Sequence, residues 1–354
     1  MLATKRVNTG RQPELDLIKG LAILFMINIH VLWLFTDLEL YETIFAALVY
    51  FMGGLPAAPV FMFAMGVGVV YSRRDNWKYF LKRGLIILLL GYLLNLLRFV
   101  IPFALGLELN VMKPAAIEAS FEYSSLLMLF MEIDILQFAG LSLIFIALLK
   151  KIKLSIFFYP LLMLLPLLNY IVQDIQLENV FLNSLLGLFW GSGLNSTFPF
   201  LIWIFYPLLG ILFGSILICV KNKNTLYLIT GILGLLVLIL VAPRASYLLS
   251  PDVYNYYHHG IFGNLTIGAF ILFWLAIFYF AGKIIPNIIR ERLSFWSRKI
   301  THMYLIHWLL IGWSLLLTGL NNFTIQQTII TMVIMIIVTD RLTYLFNQYY
   351  DLKI

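Results

Sequence analysis

Residues 16–36 read DLIKGLAILFMINIHVLWLFT. A membrane-spanning helix needs roughly 20 apolar residues. This run supplies them, with Lys19, Asn28 and His30 as the polar interruptions between Asp16 and Thr36. The preceding tail is polar, so the run reads as a retained helix and not as a cleavable leader. The rest of the chain repeats the pattern. Of 354 residues, 62% are hydrophobic and 12% charged, against about 45–50% and about 25% in soluble domains. Together with a mean hydropathy of +0.95, these values exclude a disordered chain, an ordinary soluble enzyme and a coiled coil. Long apolar blocks argue against a β-barrel, whose strands alternate over short segments. The expected fold is all-α: a polytopic integral membrane protein with about ten transmembrane helices.

The spans are expected at 16–36, 43–72, 84–104, 124–149, 154–173, 198–220, 225–242, 265–282, 302–320 and 325–348. The second should bend at Gly53-Gly54-Leu55-Pro56. Basic residues collect at one end: Lys5, Arg6 and Arg11, then 73–83, 150–153, 221–223 and 283–299. The positive-inside rule makes this end cytoplasmic and also accounts for the net charge of +7, without nucleic acid. An even span count then puts both termini in the cytoplasm. The chain divides into a tail (1–15), one membrane domain (16–348) and a second tail (349–354). Lys113 and Arg244 are the exceptions on the other side, where acidic residues such as Asp37 and Glu122 lie. The outer loops 105–123, 174–197 and 243–264 are long. Trp190-Gly191-Ser192-Gly193 and Tyr254-Asn255-Tyr256-Tyr257-His258-His259 in them suit interfacial anchors or a polar acceptor site. Asn195-Ser196-Thr197 and Asn264-Leu265-Thr266 fit a weak glycosylation pattern. A single cysteine, Cys219, excludes an internal disulfide and a multi-Cys metal site.

Ionisable residues inside a membrane are costly and mark function unless they are paired. Lys19 and His30 lie about 20° apart around one helix and roughly 16 Å apart along it. Lys19 can snorkel to headgroups and His30 can bond a backbone carbonyl. The pair also suits chemistry: histidine can take a proton from a hydroxyl or amine. A cation one pantetheine-length below it can hold a phosphate of coenzyme A, so one helix would align a cytoplasmic acyl-CoA with a base. Asn28 is close in sequence. Small residues in the second span, Ala58, Ala64, Gly66 and Gly68, permit either close helix packing or a narrow tunnel. Arg73, Arg74, Lys82 and Arg83 set topology or grip the cofactor's phosphates. Glu132 and Asp134 open the fourth span with Gln137. One of them can orient His30, as a carboxylate orients a catalytic imidazole, or pair with Arg98. Tyr304 and His307 share a face of the ninth span, for an interhelical hydrogen bond or a cofactor contact; His302 lies at its boundary. Asp340 and Arg341 are expected to pair or cap.

Several of these runs resemble a known family. They are Arg11 with Leu15-Asp16-Leu17-Ile18-Lys19-Gly20-Leu21-Ala22 and His30, Ala58 to Val67, Lys82-Arg83-Gly84-Leu85, and Ile135-Leu136-Gln137-Phe138-Ala139-Gly140-Leu141. Together they resemble the heparan-α-glucosaminide N-acetyltransferase catalytic-domain family of transmembrane acyltransferases, over about the first 150 residues. Tyr304-Leu305-Ile306-His307 is similar to the related acyltransferase family 3, whose signature is Arg or Lys, ten residues, then His in the first helix. The resemblance implies transfer of an acyl group, usually acetyl, from cytoplasmic acyl-CoA to a sugar or glycoconjugate on the far side. Acetyl-CoA or another acyl-CoA would be the co-substrate, with no metal. His30 would be the base, with Asn28, Glu132 and Asp134 near it. Lys19, Arg73, Arg74, Lys82, Arg83, Tyr304 and His307 would contact the cofactor. Arginine often stands in the family where this chain has Lys19. The expected setting is the plasma membrane of a prokaryote, or a lysosomal or other internal membrane in a eukaryote, among membrane lipids, with room for a homodimer. A transporter or flippase for a lipid-linked or sugar substrate is the main alternative, and an assembly subunit the second.

Overall fold

The computed structural model describes residues 2–108, 123–191, 196–249 and 253–349. Lys113, Glu122, Ser192, Gly193, Asn195 and most of the tail 349–354 lie outside the described residues. Eight helices are long and apolar enough to cross a membrane. Two shorter stretches fall where further spans are expected, Ile135–Lys151 and the segmented 156–172. The described residues contain isolated β-bridges and no strand. The chain is therefore an all-α polytopic membrane protein.

The first span, Pro13–Phe35, begins with Pro13 in its first turn, where a missing N–H costs nothing, and with Glu14 and Asp16 at the favourable end of the helix dipole. Glu14 is buried and paired with Lys223 at 2.6 Å, and Tyr227 donates to it at 2.6 Å. This span and the sixth, Phe200–Leu217, are about two-thirds and three-quarters buried, against a third or less for the third, seventh and tenth. They form the centre of the bundle. Glycine lets neighbouring backbones approach around them. A Cβ on Gly66 would strike the carbonyl oxygen of Pro207, and one on Gly210 that of Phe63, so the second and sixth spans lock together. Gly84 and Gly140 do the same for the third and fourth.

Three spans are irregular at one level of the bundle. The second is broken into Ile44–Gly54 and Ala58–Val70, at the expected Gly-Gly-Leu-Pro run. The third passes from Trp77–Asn95 through a π-helical turn, Leu96–Val100, into Ile101–Glu108. The fourth is split into Tyr123–Met131 and Ile135–Lys151. Backbone exposed by a break inside a membrane must find protein partners, and here it does. The Glu132 carbonyl accepts from Asn95 Nδ2 at 2.7 Å and Gln137 Nε2 at 3.2 Å. The Ile133 carbonyl accepts from the Thr197 N–H at 3.1 Å, and Gln137 Oε1 accepts from the Asp134 N–H at 3.3 Å.

The stretch 283–299, expected as a basic loop, contains a helix, Asn287–Arg298. Its apolar residues Ile289, Leu293 and Trp296 recur at helical spacing, but they form no continuous block of the kind that marks a span. Leu293, Trp296 and Ser297 are buried, and Leu293 lies against the missing side chain of Gly20. Asp340 fastens this helix to the tenth span, Ile325–Tyr349: it accepts from Trp296 Nε1 at 2.6 Å and pairs with Arg292. The expected pairing of Asp340 with Arg341 is therefore corrected. Arg292 is one residue in a helix the loop reading did not contain.

Candidate functional site

The polar side chains of the first and ninth spans meet. His30 Nδ1 lies 2.9 Å from His307 Nε2 in a buried contact. His307 Nδ1 lies 3.0 Å from the Met303 carbonyl, which can only accept, so that nitrogen carries a proton. His307 Nε2 is then the acceptor, and His30 Nδ1–H donates to it. The remaining lone pair of the dyad is on His30 Nε2. Trp308 packs on the His30 ring, 4.1 Å between centroids, and fixes its plane.

Beside the dyad sits a second polar cluster. Arg98, on the π-helical turn, is fully buried and pairs with Asp134 at 2.7 Å, and its Nη2 donates to Asn95 Oδ1 at 2.9 Å. Its guanidinium lies 4.1 Å from the Trp308 ring and 4.4 Å from the Phe99 ring. Asp134 also accepts from the Ile135 N–H at 2.6 Å and from the Tyr304 hydroxyl. The irregular stretches of the third and fourth spans thus carry the two members of one ion pair; π-turns recur at functional sites. Of the two readings of Asp134, the ion pair is the one found: its partners are Arg98 and Tyr304, and the orienting partner of His30 is His307. Glu132 contributes its backbone carbonyl to the break.

Two cavities converge on this level. One, of about 350 Å³, opens at the basic end between Lys19, Arg83 and Arg298 and runs along Ala64, Gly68 and Ala139 to Tyr304. The other, of about 20 Å³, is lined by His30, Asp134, Tyr304 and the aromatic rings of Trp33, Phe198, Tyr256 and Tyr257. Lys19 is 3.5 Å from Asp16, which Arg11 and Ser297 also bind. The small residues of the second span divide between both expected roles. Gly66 packs, whereas Ala64 and Gly68 line the first cavity and Ala58 the second.

The expected residues separate accordingly. His30, Asp134 and Tyr304 gather at the second cavity with His307 behind them, and Lys19 and Arg83 stand at the mouth of the first. Arg73, Arg74 and Lys82 are exposed and do not line it; Arg74 lies over the Tyr79 ring at 5.5 Å. Asn28 sits about 200° around the helix from His30, and its Oδ1 is buried without a partner away from the cavity. It is corrected from a neighbour of the base to a residue of another face. Arg298 and Ser297, at the mouth, were missed because their helix was; Phe198 had no sequence signal.

In the outer loop, Tyr256 and Tyr257 are buried and line the second cavity. His259 is fully partnered: its Nδ1–H donates to the Tyr256 carbonyl at 2.6 Å, and its Nε2 faces Tyr206 Oη at 2.6 Å and Asn264 Nδ2 at 3.2 Å. Burial pulls its imidazole down to about 4. It is a neutral brace that holds the tyrosines over the cavity.

The helical membrane bundle thus holds a buried imidazole pair beside a small cavity that adjoins a larger one open at the basic end. The acyltransferase domain of family 3 matches residues 12–344. The chain belongs to acyltransferase family 3 and is a membrane acyltransferase. The match extends across nearly the whole chain, beyond the first 150 residues that carry the sequence resemblance. No curated protein matches it.

Proposed function

We propose that the protein transfers an acyl group, acetyl in its ordinary reaction, from cytoplasmic acyl-CoA to a hydroxyl or amine of a sugar or glycoconjugate on the opposite side of the membrane. The observation that carries this reading is the position of His30, at the end of the outer cavity and backed by His307. The basic mouth suits the phosphates of the donor, and Lys19, Arg83 and Arg298 are the cations available there. The apolar walls beyond suit its pantetheine arm. The rings of Trp33, Tyr256 and Tyr257 border the small outer cavity, so the acceptor would present its reacting hydroxyl or amine there while its ring rests outside. The resemblance of residues 11–141 to the heparan-α-glucosaminide N-acetyltransferase family supports the same donor and acceptor classes.

In the proposed step the acceptor oxygen or nitrogen attacks the thioester carbon. Its proton passes to His30 Nε2, the carbon–sulfur bond breaks, and the proton returns from the imidazolium to the departing thiolate. His30 Nδ1–H keeps its bond to His307 Nε2 throughout, so the ring does not turn as its charge changes. Basic loops at one end support a cytoplasmic donor side.

The test is purified protein with acetyl-CoA. Binding to the folded state should raise the melting temperature by mass action, and right-side-out vesicles loaded with acetyl-CoA should acetylate an added sugar. No thermal shift at millimolar donor in a folded sample contradicts the proposal.

A further inference from the structure

Three side chains line both cavities: Phe61, Ile135 and Tyr304. They come from the second, fourth and ninth spans, and each is at least nine-tenths buried. Phe61 and Ile135 follow breaks in their spans, and Tyr304 is bonded to one of those breaks from a regular helix. Phe61 lies in the first turn after the break in the second span, its N–H donating to the Ala57 carbonyl at 3.2 Å. Ile135 is the first helical residue after the break in the fourth, its N–H on the Asp134 carboxylate at 2.6 Å. The Tyr304 hydroxyl donates to the same carboxylate, which Arg98 anchors. The collar is therefore tied to a buried ion pair and not free to widen as a loop would.

The space on its two sides is very unequal. The donor side offers about 350 Å³ and the His30 side about 20 Å³. A single water needs about 10–15 Å³ on the same measure. An acyl carbon that reaches His30 from the basic end carries its chain ahead of it through the collar. The space beyond accepts a methyl group and little more.

We propose that Phe61, Ile135 and Tyr304 form an acyl-length selector that passes acetyl and rejects butyryl and longer chains. The inference rests on the acyl-CoA reading above and adds the residues that set its donor specificity. A methylene that a pocket does not accommodate changes selectivity by about 10–200-fold, so butyryl-CoA should be at least about 100-fold poorer than acetyl-CoA.

The experiment measures kcat/KM for acetyl-, propionyl- and butyryl-CoA with wild type, Ile135→Ala and Phe61→Leu, each checked for a coenzyme A thermal shift. Phe61→Leu keeps most of the buried volume and serves if Ile135→Ala does not fold. The butyryl-to-acetyl ratio should rise at least about tenfold in a folded variant. An unchanged ratio in folded variants, or a wild type that transfers butyryl as well as acetyl, overturns the selector and leaves the acyltransfer reading standing. A folded wild type that transfers no acyl group from any of the three overturns both.

Discussion

Two glycines two positions apart in the second span, Gly66 and Gly68, should respond oppositely to the same substitution. A Cβ on Gly68 meets nothing within 4 Å, and the residue lines the large cavity between Lys19 and Arg83. Gly68→Leu therefore adds a side chain into empty space and gains about 1 kcal/mol in helix propensity. Gly66→Leu drives a side chain into the Pro207 carbonyl, where the second and sixth spans lock. Overpacking there costs about 1–3 kcal/mol or more. Gly68→Leu should thus melt no lower than wild type while filling the donor's path. Coenzyme A at 100 times its Kd stabilises the folded state by about 2.7 kcal/mol, and a tenfold weaker affinity removes about 1.4 kcal/mol of that. Thermal melts in detergent, with and without ligand, read both quantities. A Gly68→Leu protein that binds coenzyme A with wild-type affinity would refute the assignment of this cavity to the donor.

Arg98→Met leaves the Asp134 carboxylate buried without its cation and should cost about 3–5 kcal/mol. Adding Asp134→Asn should recover more than about 1 kcal/mol, as measured by denaturant titration; strictly additive losses would contradict the ion pair. His259 is neutral when folded down to about pH 4, whereas an unfolded histidine protonates near about 6.5. The unfolded state thus binds the proton first, and the stability from this brace, complete above pH 6.5, is lost as pH falls towards 4. The stability difference between wild type and His259→Asn should therefore shrink over that window. Single cysteines in a Cys219→Ala background should be protected from an impermeant reagent at residue 150 and labelled at residue 254 in intact cells. Labelling at 150 would reverse the sidedness.

The helices were legible because each span is a long apolar block, and the break at Gly53-Gly54-Leu55-Pro56 was legible because proline and paired glycine announce it. The break before Ile135 carried a quieter signal, the capping box of Asp134 and Gln137. It is completed by Asn95 and Thr197, which lie far away in sequence. The Lys19–His30 face followed from helical periodicity alone. The partner of His30 did not, since no spacing rule connects the first span to His307, and the nearby carboxylates were the more familiar orienting groups. Asn28 was drawn in by sequence proximity, which periodicity overrides. Among the cations at 73–83, charge could not distinguish Arg83, which borders the cavity, from Arg73, Arg74 and Lys82, which face outward.

The most direct measurement concerns His30 Nε2. Acetyl transfer from labelled acetyl-CoA is followed in wild type and His30→Gln, with coenzyme A binding measured on the same preparations. Glutamine keeps a hydrogen bond to His307 within reach but cannot carry a proton. The expected result is a rate lower by about 10²–10⁴-fold with coenzyme A affinity changed by less than about threefold, because on this proposal the donor's phosphates would sit roughly 16 Å away near Lys19. Wild-type transfer by a folded His30→Gln protein would contradict the assignment of His30 as the base.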